Sequence, residues 1–151
     1  MKKLKIIFVL SLITVLSGCL GAIQKQSKID DQMKNFVFNE PAGKVYNTAA
    51  KYMNSMFIDI KNTGENAGAS KWQTNNVTLG SNKYQEKLRF TVKVDAKGEN
   101  KSALNISRER STNMMGDWDK ASAGRYLHYE YNVLKKINAA KAAEIDKKAS
   151  K

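Results

Sequence analysis

The sequence predicts an α+β fold, an antiparallel sheet carrying two helices in the order β-α-β-β-β-β-α. Two apolar stripes and one pair of alternating segments predict it. Val45, Ala49, Tyr52, Met53 and Met56 recur at helical spacing, and so do Ala123, Leu127, Tyr131, Leu134 and Ile137. Between them Leu88, Phe90, Val92 and Val94 alternate with Arg89, Thr91, Lys93 and Asp95. After a turn around Gly98, Ser102, Leu104 and Ile106 restart the alternation, the pattern of an antiparallel hairpin with one wet face.

Taken in order, Phe36-Val37-Phe38 reads as a short strand, and Asn39 or Glu40 caps a first helix running from Pro41 to Met56 with proline in its first turn. Phe57 to Ile60 alternates and reads as a second strand, followed by a loop from Asn62 to Ser70. Lys71 to Leu79 is a weaker strand whose phase slips between Thr74 and Val77, as a bulge would make it do. Asp117 to about Lys148 reads as the closing helix, with Asp117 and Asp119 complementing its positive end. Glu130 interrupts the apolar stripe of that helix. A buried pair with a sheet arginine such as Arg89 or Arg108 accounts for it, as does a helix resting less squarely on the sheet.

The chain has 151 residues, and its first 18 read as an export leader. Lys2, Lys3 and Lys5 form a basic start, and Ile6 to Leu16 is an apolar run of 11 residues, too short for the roughly 20 that span a bilayer. The run closes with Leu16-Ser17-Gly18-Cys19, which resembles the lipobox of bacterial lipoproteins. That resemblance implies cleavage between Gly18 and Cys19 and diacylglycerol on the cysteine, with the new amino terminus usually acylated. Two or three acyl chains anchor a small domain durably where one would not. With Leu20 rather than aspartate next, the resemblance implies sorting to the outer membrane in a two-membrane host, facing the periplasm.

Three of the 26 basic residues lie in the leader, leaving 23 against 14 acidic ones in the remaining 133 residues. Such a balance favours anionic partners: phospholipid, lipopolysaccharide or an acidic protein surface. Nucleic acid is not expected in an exported domain. The expected division is a leader over 1–18, a lipid anchor and flexible tether over 19–35, a domain over 36–140, and a basic helical tail over 141–151 that projects or frays. A fully extended tether of that length reaches roughly 50 Å.

The Val45 to Met56 helix, the Lys71-Trp72-Gln73 segment after a glycine-containing loop, the Tyr84 to Val94 strand and the closing helix from Arg125-Tyr126 resemble the amino-terminal helix-grip domain of the BamC lipoproteins. The resemblance covers about Val37 to Ala140 and implies a helix-grip-like sheet and a place in outer-membrane β-barrel assembly. A broader group of single-domain periplasmic lipoproteins is equally similar.

Chemistry is sparse. His128 is the only histidine and Cys19 the only cysteine, so Cys/His catalysis and cysteine-rich zinc sites are excluded by count, and no catalytic residue, metal or cofactor is expected. Gly116 and Gly124 fit no phosphate loop, and Met114-Met115 reads as core filler or a sticky loop. Arg89 and Lys93 share the outward face of one strand, with Arg108 and Arg110 on its neighbour in the opposite phase. Among Tyr126, Tyr129 and Tyr131, Tyr129 is the ring expected to be exposed. Arg89, Lys93 and Tyr129 are therefore the partner-binding candidates. The function expected is a non-catalytic module docking an envelope protein. The alternative is a module holding a lipid or small apolar ligand between the long helix and the sheet.

Overall fold

The computed structural model describes residues 21–80, 82–113 and 116–151. The expected leader, the cleavage site at Gly18 and Cys19, and Met114-Met115 lie outside the described residues. Helix α1 covers residues 21–33. Helix α2 (Ala42–Ser55) follows, then strands β1 (Lys61–Gly64), β2 (Ala67–Ala69), β3 (Gln73–Leu79), β4 (Asn82–Gly98), β5 (Lys101–Asn113) and β6 (Ser122–Arg125). Helices α3 (Leu127–Ile137) and α4 (Ala139–Ala149) end the chain. The fold is α+β, an open antiparallel sheet of six strands with four helices.

The β4–β5 hairpin is the frame. Its residues pair without a break from Gln85↔Asn113 to Ala96↔Ser102, and Gly98, at φ 151°, starts the turn. One side of the hairpin buries Val92, Val94, Leu104 and Ile106 against Val45, Ala49 and Met53 of α2 and Val133 and Leu134 of α3. β2 and β3 share the other edge of β4, at Thr91–Lys93 and Asn82–Leu88 respectively, and the sheet runs β1-β2-β4-β5-β6. With 17 residues at about 3.3 Å each, β4 reaches ~55 Å, more than twice the ~21 Å of α2, so the sheet overhangs its helices at the β3 end.

From residue 21 on, the expected tether is instead part of the fold. Residues 21–33 are helical and bury Ile29 and Met33, one turn apart, in the common core. Two apolar residues leave too short a stripe to stand out in the sequence, yet they suffice once a prepared core receives them. The expected fraying tail is likewise packed: the long closing helix breaks at Asn138, whose side chain accepts the Lys141 amide at 2.9 Å, and α4 folds back on α3. It buries Ala142, Ile145 and Ala149, and the Tyr131 hydroxyl donates to the Ala142 carbonyl at 3.1 Å. Burial pushes that phenol well above its ordinary value, and the hydroxyl in turn holds the neighbouring Asp146 carboxyl low.

Other boundaries shift for local reasons. Phe36 to Phe38 is reduced to one bridge, Phe38↔Ser102, and Phe57 to Ile60 is the turn leaving α2 rather than a strand. Phe57 occupies the left-handed region at φ 61°, its amide donating to the Asn54 carbonyl at 3.0 Å and that of Ile58 to Met53 at 3.2 Å. This double bond closes the helix at a position that usually takes glycine. β3 pairs in unbroken register from Gln73↔Leu88 to Leu79↔Asn82, so the expected bulge is absent; the strand is exposed, and no core dictates its phase. Asp117 and Asp119 precede β6 rather than cap a helix, which begins only at Leu127.

Ile145→Ala should cost about 2–4 kcal/mol, a drop of roughly 10 °C in melting temperature by calorimetry. An unchanged melting temperature would mean that α4 does not seal the core.

Candidate functional site

Helices cover one face of the sheet, and the candidate site is the other. On that face Lys87, Arg89, Thr91 and Lys93 of β4 stand opposite Ser111, Glu109, Ser107 and Asn105 of β5. β2 adds Ala67 beside Lys93 and Ala69 beside Thr91. Between these alanines Gly68 faces α2, where a Cβ would lie 2.5 Å from the Tyr46 hydroxyl and 2.9 Å from the Lys61 carbonyl. Glycine therefore lets Tyr46 reach across to Asn62, its hydrogen-bond partner. The small residues of β2 leave a shallow depression of about 440 Å³ floored by Arg89, Thr91, Lys93, Asn105, Ser107 and Glu109.

The face is internally ordered. Arg89 Nε donates to Glu109 Oε2 at 2.7 Å, and the Thr91 and Ser107 hydroxyls lie 2.8 Å apart. Both tryptophans of the chain sit here. Lys87 Nζ lies 5.1 Å from the ring centre of Trp72 and 4.4 Å from that of Trp118, and the Arg89 guanidinium lies 4.6 Å from Trp72. Such cation–π contacts are worth about 0.5–1 kcal/mol at exposed sites and fix long side chains that would otherwise wander. The residue 116–121 loop brings Trp118 in: Asp119 accepts from the Thr112 hydroxyl at 2.6 Å, and its amide donates to the Thr112 carbonyl at 2.8 Å.

Arg89 and Lys93 thus share a face, as expected, and Arg108 and Arg110 lie on the other, opposite Phe90 and Leu88. The pair is not a bare positive patch, however, since Glu109 holds Arg89 and Asp95 lies 3.1 Å from Lys93. Tyr129 is not brought to them. It sits half-buried on the helix side, its ring 5.8 Å from Phe90, 5.4 Å from Tyr126 and 6.1 Å from Tyr52. Burial, chiefly, pushes its phenol above the ordinary value, reinforced by Tyr52 and Tyr126 and opposed by Arg108. Tyr129 packs, where the sequence expectation had it exposed. His128 stacks at its edge, 4.1 Å from the Tyr129 ring.

Glu130 is the one buried carboxylate among the described residues, 1% exposed, and its partner is Arg125 rather than Arg89 or Arg108. Arg125 Nε and Nη2 donate to Glu130 at 2.8 and 2.7 Å, and the Ile106 amide donates to it at 3.0 Å. Burial raises the Glu130 carboxyl above its ordinary value, opposed by Arg125 and the Ile106 amide. Among the described residues no group of three or more His, Cys, Asp or Glu could hold a metal.

The sequence reading missed Trp72 and Trp118 as a pair, because only the β3–β4 register and the Asn113↔Trp118 bridge bring them to Lys87. It also missed Phe57, which is 96% exposed. Comparison with protein families, curated proteins and solved structures finds no match for this chain.

The Phe57 backbone closes the helix, but its ring, fully exposed, is not what the left-handed position needs. Phe57→Gly should raise stability by about 0.5–1 kcal/mol in denaturant unfolding, by relieving the backbone. A loss of stability instead would mean that the ring serves packing.

Proposed function

We propose that the protein is an envelope lipoprotein, anchored through lipid on Cys19 to the outer membrane and facing the periplasm, whose uncovered sheet face docks an envelope protein. It acts as a non-catalytic module. β-barrel assembly is the setting that its likeness to the BamC lipoproteins suggests.

The observation that carries the docking role is one-sided coverage. The helices pack on the face that carries Val92, Val94, Leu104 and Ile106, while the opposite face holds two tryptophans, the cations Lys87, Arg89 and Lys93, and a polar ladder already fixed in place. Ordered aromatic and cationic side chains lose little freedom on binding, which is what an interface anchor requires. Against the ligand-binding alternative stands the filled space between helix and sheet, where Val92, Leu104, Ile106 and Leu134 are buried together.

The test combines two variants. Fatty-acid labelling should mark the wild type and not Cys19→Ala. Lys87→Glu with Lys93→Glu should keep folding within about 1 kcal/mol, as exposed charges do, yet lose the envelope proteins recovered with the tagged wild type from solubilised membranes. Equal labelling of Cys19→Ala would overturn the anchor. Unchanged recovery with the double reversal would overturn the docking face.

A further inference from the structure

We propose that the end of the molecule formed by the start of α1 and the end of α4 is a second membrane contact, with its lysines on anionic phospholipid headgroups and Ile23 at the interface. The proposal rests on the lipoprotein reading for its geometry, but the surface itself stands on the described residues. Lys25 Nζ lies 3.6 Å from Asp146 Oδ1, which sets the first turns of α1 beside the last turn of α4. Ile23 is 66% exposed there, although Ile29 and Met33 of the same helix are buried.

On the same two helices and just past the end of α4, Lys28, Lys147, Lys148 and Lys151 are all exposed. The acids of α4 are already engaged: Asp146 by Lys25, and Glu144 by Lys141 and Lys148, the latter two at 2.7 Å. Those two lysines hold the Glu144 carboxyl down to about 2. Lys28, Lys147 and Lys151 make no ion pair with any described residue, so their charge is available to an outside anion. An exposed aliphatic residue on joined helix ends that carry several exposed lysines is the composition of a surface that lies on a bilayer.

Distance decides the matter. Ile23 lies four residue steps from Cys19, a span of at most about 14 Å even when extended, and the headgroup layer is itself about 5–8 Å thick. A lipid on Cys19 therefore holds Ile23 and its lysine neighbours near the headgroups, within reach of their field, which decays over about 8 Å. Because α1 is locked into the core by Ile29 and Met33, the contact also sets how the domain stands on the membrane.

The chain from residue 19 on, with Cys19→Ala, keeps every described residue and carries no lipid. Its sedimentation with vesicles of phosphatidylglycerol and phosphatidylethanolamine, against vesicles of phosphatidylcholine, tests the surface alone. Binding is expected to the anionic vesicles and to weaken at least about tenfold from low to moderate salt. Each lysine near the surface contributes roughly fivefold, so Lys28→Glu, Lys147→Glu and Lys151→Glu together should lower binding about a hundredfold or more. Ile23→Ser should lower it severalfold at either salt. Reversal of Lys83, Lys97 and Lys101, on the strands, should leave it within about twofold. Absence of binding to anionic vesicles, or equal losses from the two triple reversals, would overturn the proposal. Failure of fatty-acid labelling at Cys19 would instead strike the anchor, so the two readings fail separately.

Discussion

The structure depends on how β5 ends its partnership with β6. β6 pairs from Arg110↔Ser122 to Ser107↔Arg125 and then the chain turns away into α3, leaving the Ile106 amide and the Leu104 carbonyl on a buried strand edge. Such groups are costly when unpaired. Glu130 and Arg125 complete the ladder with side chains: Glu130 accepts from Ile106, and Arg125 Nη2 donates to Leu104 at 3.1 Å while holding Glu130. The remaining guanidinium nitrogen donates to the Lys34 carbonyl at 2.7 Å, just past the end of α1. One ion pair thereby fastens β5, β6, α3 and the amino-terminal helix together. Removing one partner of such a pair strands a buried charge and costs about 3–5 kcal/mol.

That fastening places all four helices on one side and leaves the other open. The open face is ordered without being buried, since Arg89, Glu109 and the two tryptophans brace one another across the strands. Its side chains are held in place before anything binds them, which is what the proposed docking role asks of it. The same fastening makes residues 21–33 part of the rigid domain rather than a loose leash.

Much of this was legible in the sequence wherever a long periodic signal met a buried face. The β4–β5 hairpin, its Gly98 turn and the opposite phases of Arg89 and Arg108 follow from strict alternation, and α2 from its stripe. The failures share a cause. Ser122-Ala123-Gly124-Arg125 has no apolar period and becomes a strand only because β5 offers an edge. α1 and α4 contribute small or widely spaced apolar residues, and the neighbouring core decides their packing. Glu130, the polar break in a helical stripe, signalled a buried pair correctly. Its partner was misassigned because Arg125 was read as part of the helix and not as the last residue of a strand. For the site, the sequence located Arg89 and Lys93 on one face, but Glu109, Trp72 and Trp118 needed the register.

The central claim is that the Arg125–Glu130 pair joins the amino-terminal helix to the sheet. Native-state hydrogen exchange of the wild type and Arg125→Gln tests it most directly. The account predicts that amides of residues 21–33 and of α3 lose protection together in the variant, by about a hundredfold or more for a pair of this kind, while the paired amides of β3 and the first half of β4 keep theirs. Loss confined to β6, with residues 21–33 as protected as before, would contradict it.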